Sequence, residues 1–360
     1  MKAMIAAAII LGIFFPAPAR TAELTSPSAP LAEPVPEIPP PAPPLADLKE
    51  CLAKPGNDDC LESLFRAALE KRSPAELLQS IQRYEEEDSG LRLACHPVVH
   101  ALGREIFRIK GNIHDAFLAC DQTCHSGCYH GAVERFLRGD SKAPARHVTQ
   151  SEILKKVPTA CDAKAPRRLY FQCLHGLGHA LMYFTENRLD DSLQGCDALS
   201  DRWSRESCYG GVFMENIVST LPDKRMVSET DAHYPCNRVA AKYRGQCYSM
   251  QTSRMLEMGL TTDQQFEECA RADTFADDCT QSIGRDLSNL SRGGQSLDAA
   301  GQCERAEGEA RRACIRGVVY ALIDNTWDLT YATPFCAALR EEGAYCRESG
   351  EGYLKAFIGK

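Results

Sequence analysis

A chain of 360 residues with a formal net charge of -8 and an isoelectric point near 5.7 has no basic footprint with which to hold a nucleic-acid backbone. Its 18 cysteines are an even number and many for this length, which reads as a disulfide framework in an oxidising compartment rather than a set of cytosolic thiols. Beyond the first fifteen residues no stretch approaches the roughly 20 consecutive apolar residues that span a bilayer, so no membrane span is expected.

The chain opens with Lys2, the apolar run AMIAAAIILGIFF and the small residues APA at 17–19, the order of charge, apolar core and cleavage site of a secretory signal peptide. Residues 1–19 are set aside from the fold on that ground, and no cysteine stands at the cleavage point to carry a lipid. A periplasmic or secreted location follows as the expectation. Residues 20–46 form a linker in which SPSAPLAEPVPEIPPPAPPLA, at 26–46, favours an extended polyproline tether. About 310 residues remain for folded structure, enough for a large core. They divide into an N-terminal helical region, 47–190, and a run of repeats, 191–360.

Cys51 and Cys60 form a short staple before LESLFRAALEKR. SPAE at 73–76 is a capping box with proline at the first helical position, and it starts a helix through LLQSIQRY. From residue 161 the cysteines fall into six ordered pairs: Cys161 and Cys173, Cys196 and Cys208, Cys236 and Cys247, Cys269 and Cys279, Cys303 and Cys314, Cys336 and Cys346. Successive second members recur every 32 to 39 residues, which is an internal repeat. Each second cysteine opens an amphipathic run and each first one closes a run of helical spacing, such as SLQGC or QQFEEC. The predicted unit is helix, short link, helix, with the two cysteines of one repeat joined and each bridge contributing on the order of 2–3 kcal/mol. By analogy with these repeats Cys120 pairs with Cys128, which leaves Cys95 for Cys124. Strand signals are nearly absent. The expected fold is all-α, an α-solenoid-like array of disulfide-stapled helical hairpins.

Counted from the second cysteine of a repeat, the positions two and six beyond it share a helix face. From Cys173 they are His175 and His179; from Cys128 they are His130 and Glu134. One helix earlier, in CHPVVHALGREIF, His96 and His100 are again four apart, displaced by one from Cys95. Random placement of nine histidines in 360 residues gives roughly 0.2 His pairs at this spacing, and two are present. An i,i+4 pair lets one helix offer two side chains to one ion, as in zinc-protease helices and, at i,i+3, in carboxylate-bridged di-iron bundles. His96, His100, His130, His175 and His179 are therefore the candidate metal ligands, with Glu134 as bridging carboxylate or general base. His125, in CHSGCYH, and Glu215, in GGVFMEN, are placed to support them. Gly131, Gly176 and Gly178 would each cost about 1 kcal/mol in a helix relative to alanine, so they are expected to permit close helix approach around the site. Five imidazoles and a carboxylate exceed what one tetrahedral ion takes, so a dinuclear centre of zinc, copper or iron fits the count.

Competing readings attach to the same residues. The imidazoles are also accounted for as core histidines bonded to backbone. CDQTCH at 120–125 is one residue longer than a c-type haem attachment site, and Cys124 beside His125 has the ingredients of a thiol nucleophile. Arg285 and Arg316, at the same offsets in later repeats, could line an anion groove.

The motifs CHPVVHALGREIF, CDQTCHSGCYHGAVERFL, CLHGLGHALM and CYGGVFMEN resemble those of a family of exported bacterial and archaeal proteins rich in cysteine and histidine, over about residues 90–220. That resemblance implies export and brings no activity with it. The repeat period is similar to that of tetratricopeptide and Sel1-like helical repeats, and the spacing of HPVVH, HSGCYH and HGLGH is similar to the histidine boxes of membrane di-iron desaturases. The functional expectation is an exported metal-binding repeat protein, as a metalloenzyme of hydrolytic or oxygen and redox chemistry. The downstream repeats would offer a groove to a small-molecule or protein ligand. A non-enzymatic interaction scaffold and a metal storage or delivery protein are the alternatives.

Overall fold

Capping residues and apolar spacing set the helices one after another along the chain. The computed structural model describes residues 43–138, 150–219 and 222–358, apart from Pro55 and Gln122. The expected signal peptide and residues 20–42 of the expected linker lie outside the described residues. Among those described there are 17 α-helices and no strand, so the chain is all-α. No described helix is long and apolar enough to cross a membrane.

Three helices open the fold: α1 (Leu45–Leu52), α2 (Asp58–Leu69) and α3 (Pro74–Glu87). At Ser73 the expected capping box is present, with the hydroxyl accepting from the Glu76 N–H and the Glu76 carboxylate accepting from the Ser73 N–H. Long helices then carry the core: α4 (Ser89–Lys110), α6 (Thr123–Arg138), α8 (Arg167–Phe184), α10 (Arg202–Val218), α11 (Ala241–Glu257), α13 (Ala276–Arg292) and α15 (Gly308–Thr326). Shorter ones link or flank them: α5 (Ile113–Leu118), α7 (Gln150–Lys156), α9 (Leu189–Cys196), α12 (Thr262–Ala270), α14 (Ser296–Cys303), α16 (Ala332–Ala338) and α17 (Gly343–Tyr353).

All nine expected cysteine pairs meet, with Cα–Cα distances of 5.2 to 5.8 Å, including Cys95 with Cys124 and Cys120 with Cys128. In the six later pairs every second cysteine lies in a helix, from Cys173 in α8 to Cys346 in α17. Two first cysteines depart from the expected unit. Cys161 lies two residues beyond the tight turn Val157–Thr159 that ends α7, and Cys236 sits among turns. Pro235 immediately before Cys236 lacks the N–H that a helix would use and restricts the residue ahead of it.

Consecutive long helices cross at glycine. On α4 and α6 Gly103 faces the Cys128 carbonyl and Gly131 the His100 carbonyl; on α8 and α10 Gly178 faces Cys208 and Gly211 faces His175. On α13 and α15 Gly284 faces Cys314 and Gly317 faces Gln281. A methyl group at any of the six would overlap the facing carbonyl oxygen, so backbones touch where side chains would otherwise hold them apart. Where α11 packs on α13 the contact is made by hydroxyls instead, Thr252 Oγ1 lying 2.6 Å from Ser282 Oγ and donating to Asp286 at 2.7 Å. The last helices pack back against α6 and α8: the Arg168 guanidinium lies 4.3 Å over the Trp327 ring, Trp327 is 6.5 Å from the Tyr129 ring, and the terminal turn Leu354–Ile358 packs against α8.

Candidate metal centre

The crossings of α4, α6 and α8 bring the three predicted pairs to one place. His96 and His100 on α4 have ring centroids 4.5 Å apart, and His175 and His179 on α8 are 5.1 Å apart. His130, on α6 between them, stacks on His179 at 4.4 Å and lies 5.2, 5.4 and 5.7 Å from His96, His100 and His175. Gly176 makes room for it, since a Cβ there would come within 2.9 Å of the His130 ring. One nitrogen from each of His96, His130 and His179 lies within 4.8 Å of the other two, a group that could hold a metal ion. His130 and His179 are each 1% exposed; His96 is half-buried at the edge of the group.

Hydrogen bonds fix how three of the rings point. His96 Nδ1 meets the Cys124 carbonyl at 2.8 Å, His100 Nδ1 meets Glu134 Oε1 at 2.7 Å, and His179 Nδ1 meets Glu215 Oε2 at 2.7 Å. Carbonyls and carboxylates accept, so in each ring Nδ1 carries the proton and Nε2 keeps its lone pair. His96 Nε2 and His100 Nε2 then face each other at 3.0 Å, a contact satisfied by a proton shared between the two nitrogens or by a metal ion. Among the described residues neither nitrogen of His130, nor Nε2 of His179, has a hydrogen-bond partner, although all three atoms are buried. Leaving such an atom unpaired costs about 1–3 kcal/mol each. Burial, then the neighbouring imidazoles, holds the His130 pKa well below its ordinary value; burial, then His179, brings that of His175 down to about 3. The neutral form so favoured is the one that donates to a metal.

Glu134 has a place different from that expected of a bridge or base. One oxygen is taken by His100 and the other by Arg104 Nη1 at 2.7 Å. Burial alone would raise its pKa, but His100 and Arg104 outweigh burial and hold it far below the carboxylate range. Arg104 is 6% exposed, donates also to Glu62 at 2.6 Å and Asp58 at 2.6 Å, and so ties α4 to α2 behind the imidazoles. Sequence reading missed Arg104, Glu62 and Asp58. Arg104 follows His100 by four residues on the same helix face, and that spacing was the available signal.

The remaining candidates fall elsewhere. The side chain of His125 lies outside the described residues. Glu215 orients His179 from α10, with its side chain 25% exposed. Every cysteine is in a disulfide, so CDQTCH has no thiol for a haem and Cys124 is no nucleophile. The same fact removes Glu85, Cys95 and Cys124 as a second metal group. Arg285 is engaged by Met250, Ser253 and Asp286, and Arg316 by Asp277, Glu309 and Tyr345.

Compared with protein-family models, curated proteins and solved structures, the chain matches none.

Proposed function

We propose that this chain is an exported transition-metal protein in which His96, His130 and His179 hold the ion. His100 and His175 stand on either side of that triad, so a second ion has donors available, and zinc, copper or iron suits imidazole ligation. The observation that carries this reading is His130: a ring buried among four other imidazoles with neither nitrogen hydrogen-bonded. A core histidine normally has a partner, whereas a ligand histidine finds its partner in the ion. Carboxylates behind His100 and His179 are the usual means of fixing the tautomer and raising the basicity of such ligands. Glu134 and Glu215 are therefore assigned to orientation, with Arg104 holding Glu134 in turn. A bound ion would supply Lewis-acid or redox chemistry, and the half-buried His96 edge is where a substrate would reach it. Nine disulfides and the signal-peptide pattern support the exported setting.

Elemental analysis of the full chain, purified from the compartment to which it is exported, should give about one or two equivalents of zinc, copper or iron. His130→Ala and His179→Ala should each lose most of that metal while helical circular dichroism persists. A wild-type protein that is folded, metal-free and indifferent to all three ions in its thermal midpoint sinks the reading and leaves the cross-linked scaffold. Bound metal that exchanges freely without turnover points to storage or delivery.

A further inference from the structure

A polar cleft opens where the first turns of α10, α11 and α13 come together. Its volume is about 760 Å³, within the range of small-molecule sites. Most charges lining it are answered within it. Arg202 donates to Glu206 at 2.7 Å and Lys242 to Asp197 at 2.7 Å, and Asp197 also accepts from the Tyr209 and Tyr243 hydroxyls at 2.5 and 2.8 Å. Arg205 donates to the carbonyls of Leu199 and Ser200. Asp278 is the exception: it lines the cleft and has no hydrogen bond or ion pair among the described residues.

We infer that this cleft binds a small organic cation, with its ammonium group on Asp278 and its apolar part against Phe275. Phe275 lines the cleft and is held by stacking on Tyr248, 5.9 Å away and nearly parallel. Gly245 keeps the carboxylate accessible, since a Cβ there would come within 3.2 Å of Asp278 Oδ2. Burial, followed by Asp277 and Glu206, pushes the Asp278 pKa up, so a positive charge placed beside it is favoured twice, by pairing and by relief of that repulsion. A hard divalent ion is a poorer occupant: it takes six or more oxygen ligands, and the cleft offers one unpaired carboxylate with Lys242 and two arginines close by. An anion would meet Asp278 and Glu206. An ammonium carried on a hydrocarbon body matches both the free charge and the aromatic wall.

Isothermal titration of the full chain with butylammonium, putrescine and choline, and with potassium and calcium chlorides as controls, tests this. At least one organic ammonium should bind saturably, at least tenfold more weakly in Asp278→Asn, and more weakly in Gly245→Val, whose side chain crowds the carboxylate. Phe275→Ala should reduce the advantage of butylammonium over potassium. Circular dichroism and metal content, both determined elsewhere in the molecule, should be unchanged in Asp278→Asn, which separates this result from the fate of the histidine centre. No saturable ammonium binding at about 10 mM, undiminished binding by Asp278→Asn, or binding of calcium alone would each overturn the inference.

Discussion

Three carboxylates converge on Arg104. Burial alone would lower its pKa, yet Glu134, Asp58 and Glu62 more than compensate and hold it above the ordinary arginine value. Arg104→Met would remove that guanidinium from the buried Glu134 and Glu62, leaving Glu62 only the more distant Arg135 and Arg138, at a cost of about 3–5 kcal/mol; urea unfolding reads this directly. Asp324, on α15, is a residue that titrates. Asp324 accepts from the Tyr353 hydroxyl at 2.8 Å, and burial pushes its pKa up to about 7. In the unfolded chain it titrates near the ordinary aspartate value of about 3.9, so between about pH 4 and 7 the folded state binds more protons and stability falls as pH rises. Asp324→Asn should flatten that decline and raise the thermal midpoint at pH 8, by roughly 1–3 kcal/mol of stability. At this scale the histidines were legible, because an i,i+4 pair declares a shared face. Glu134 was legible as a member of the site but not in its role. What it does is set by Arg104, and nothing in spacing says which of two neighbours a carboxylate will face.

At the scale of elements, the crossings put opposite signs on one substitution. Alanine is the better helix former, by about 1 kcal/mol over glycine. A methyl group added at Gly301, in α14, would meet nothing within 4 Å, so Gly301→Ala should stabilise by about 0.5–1 kcal/mol. Gly131→Ala meets the His100 carbonyl and must push α6 from α4, which should destabilise by about 1–3 kcal/mol despite the same propensity gain. Chemical denaturation of the two variants side by side gives the comparison, and the Gly131 change should also weaken metal binding by displacing His130. Glycine in a helical pattern was readable as a sign of close approach at 131, 176 and 178. The matching positions Gly284 and Gly317 follow the same geometry in helices outside the imidazole cluster, so the close crossing does not depend on the histidines. Disulfide pairing was readable for a local reason in eight of the nine pairs, whose cysteines are 8 to 12 residues apart, while Cys95 and Cys124, 29 apart, followed only by elimination.

For the molecule as a whole, the packing of the last helices against α6 and α8 is the feature that local reading could not supply. Trp327 stands at the join, between Arg168 and Tyr129. A cation–π contact of this kind is worth about 1–2 kcal/mol. Trp327→Ala should lower stability by about that much in urea unfolding; an unchanged midpoint would mean that helix packing alone holds this join. Local sequence was enough for the helices, for every staple but Cys95–Cys124, and for the donor side chains that share a face, because each of these depends on neighbours within about a dozen residues. Long-range packing alone settled that three faces converge, that Glu134 is held by Arg104, that a cleft with one unanswered carboxylate opens across three helices, and that the last helices return to α6 and α8. Those outcomes depend on crossing angles and on contacts between residues 30 to 200 positions apart, which no local pattern encodes.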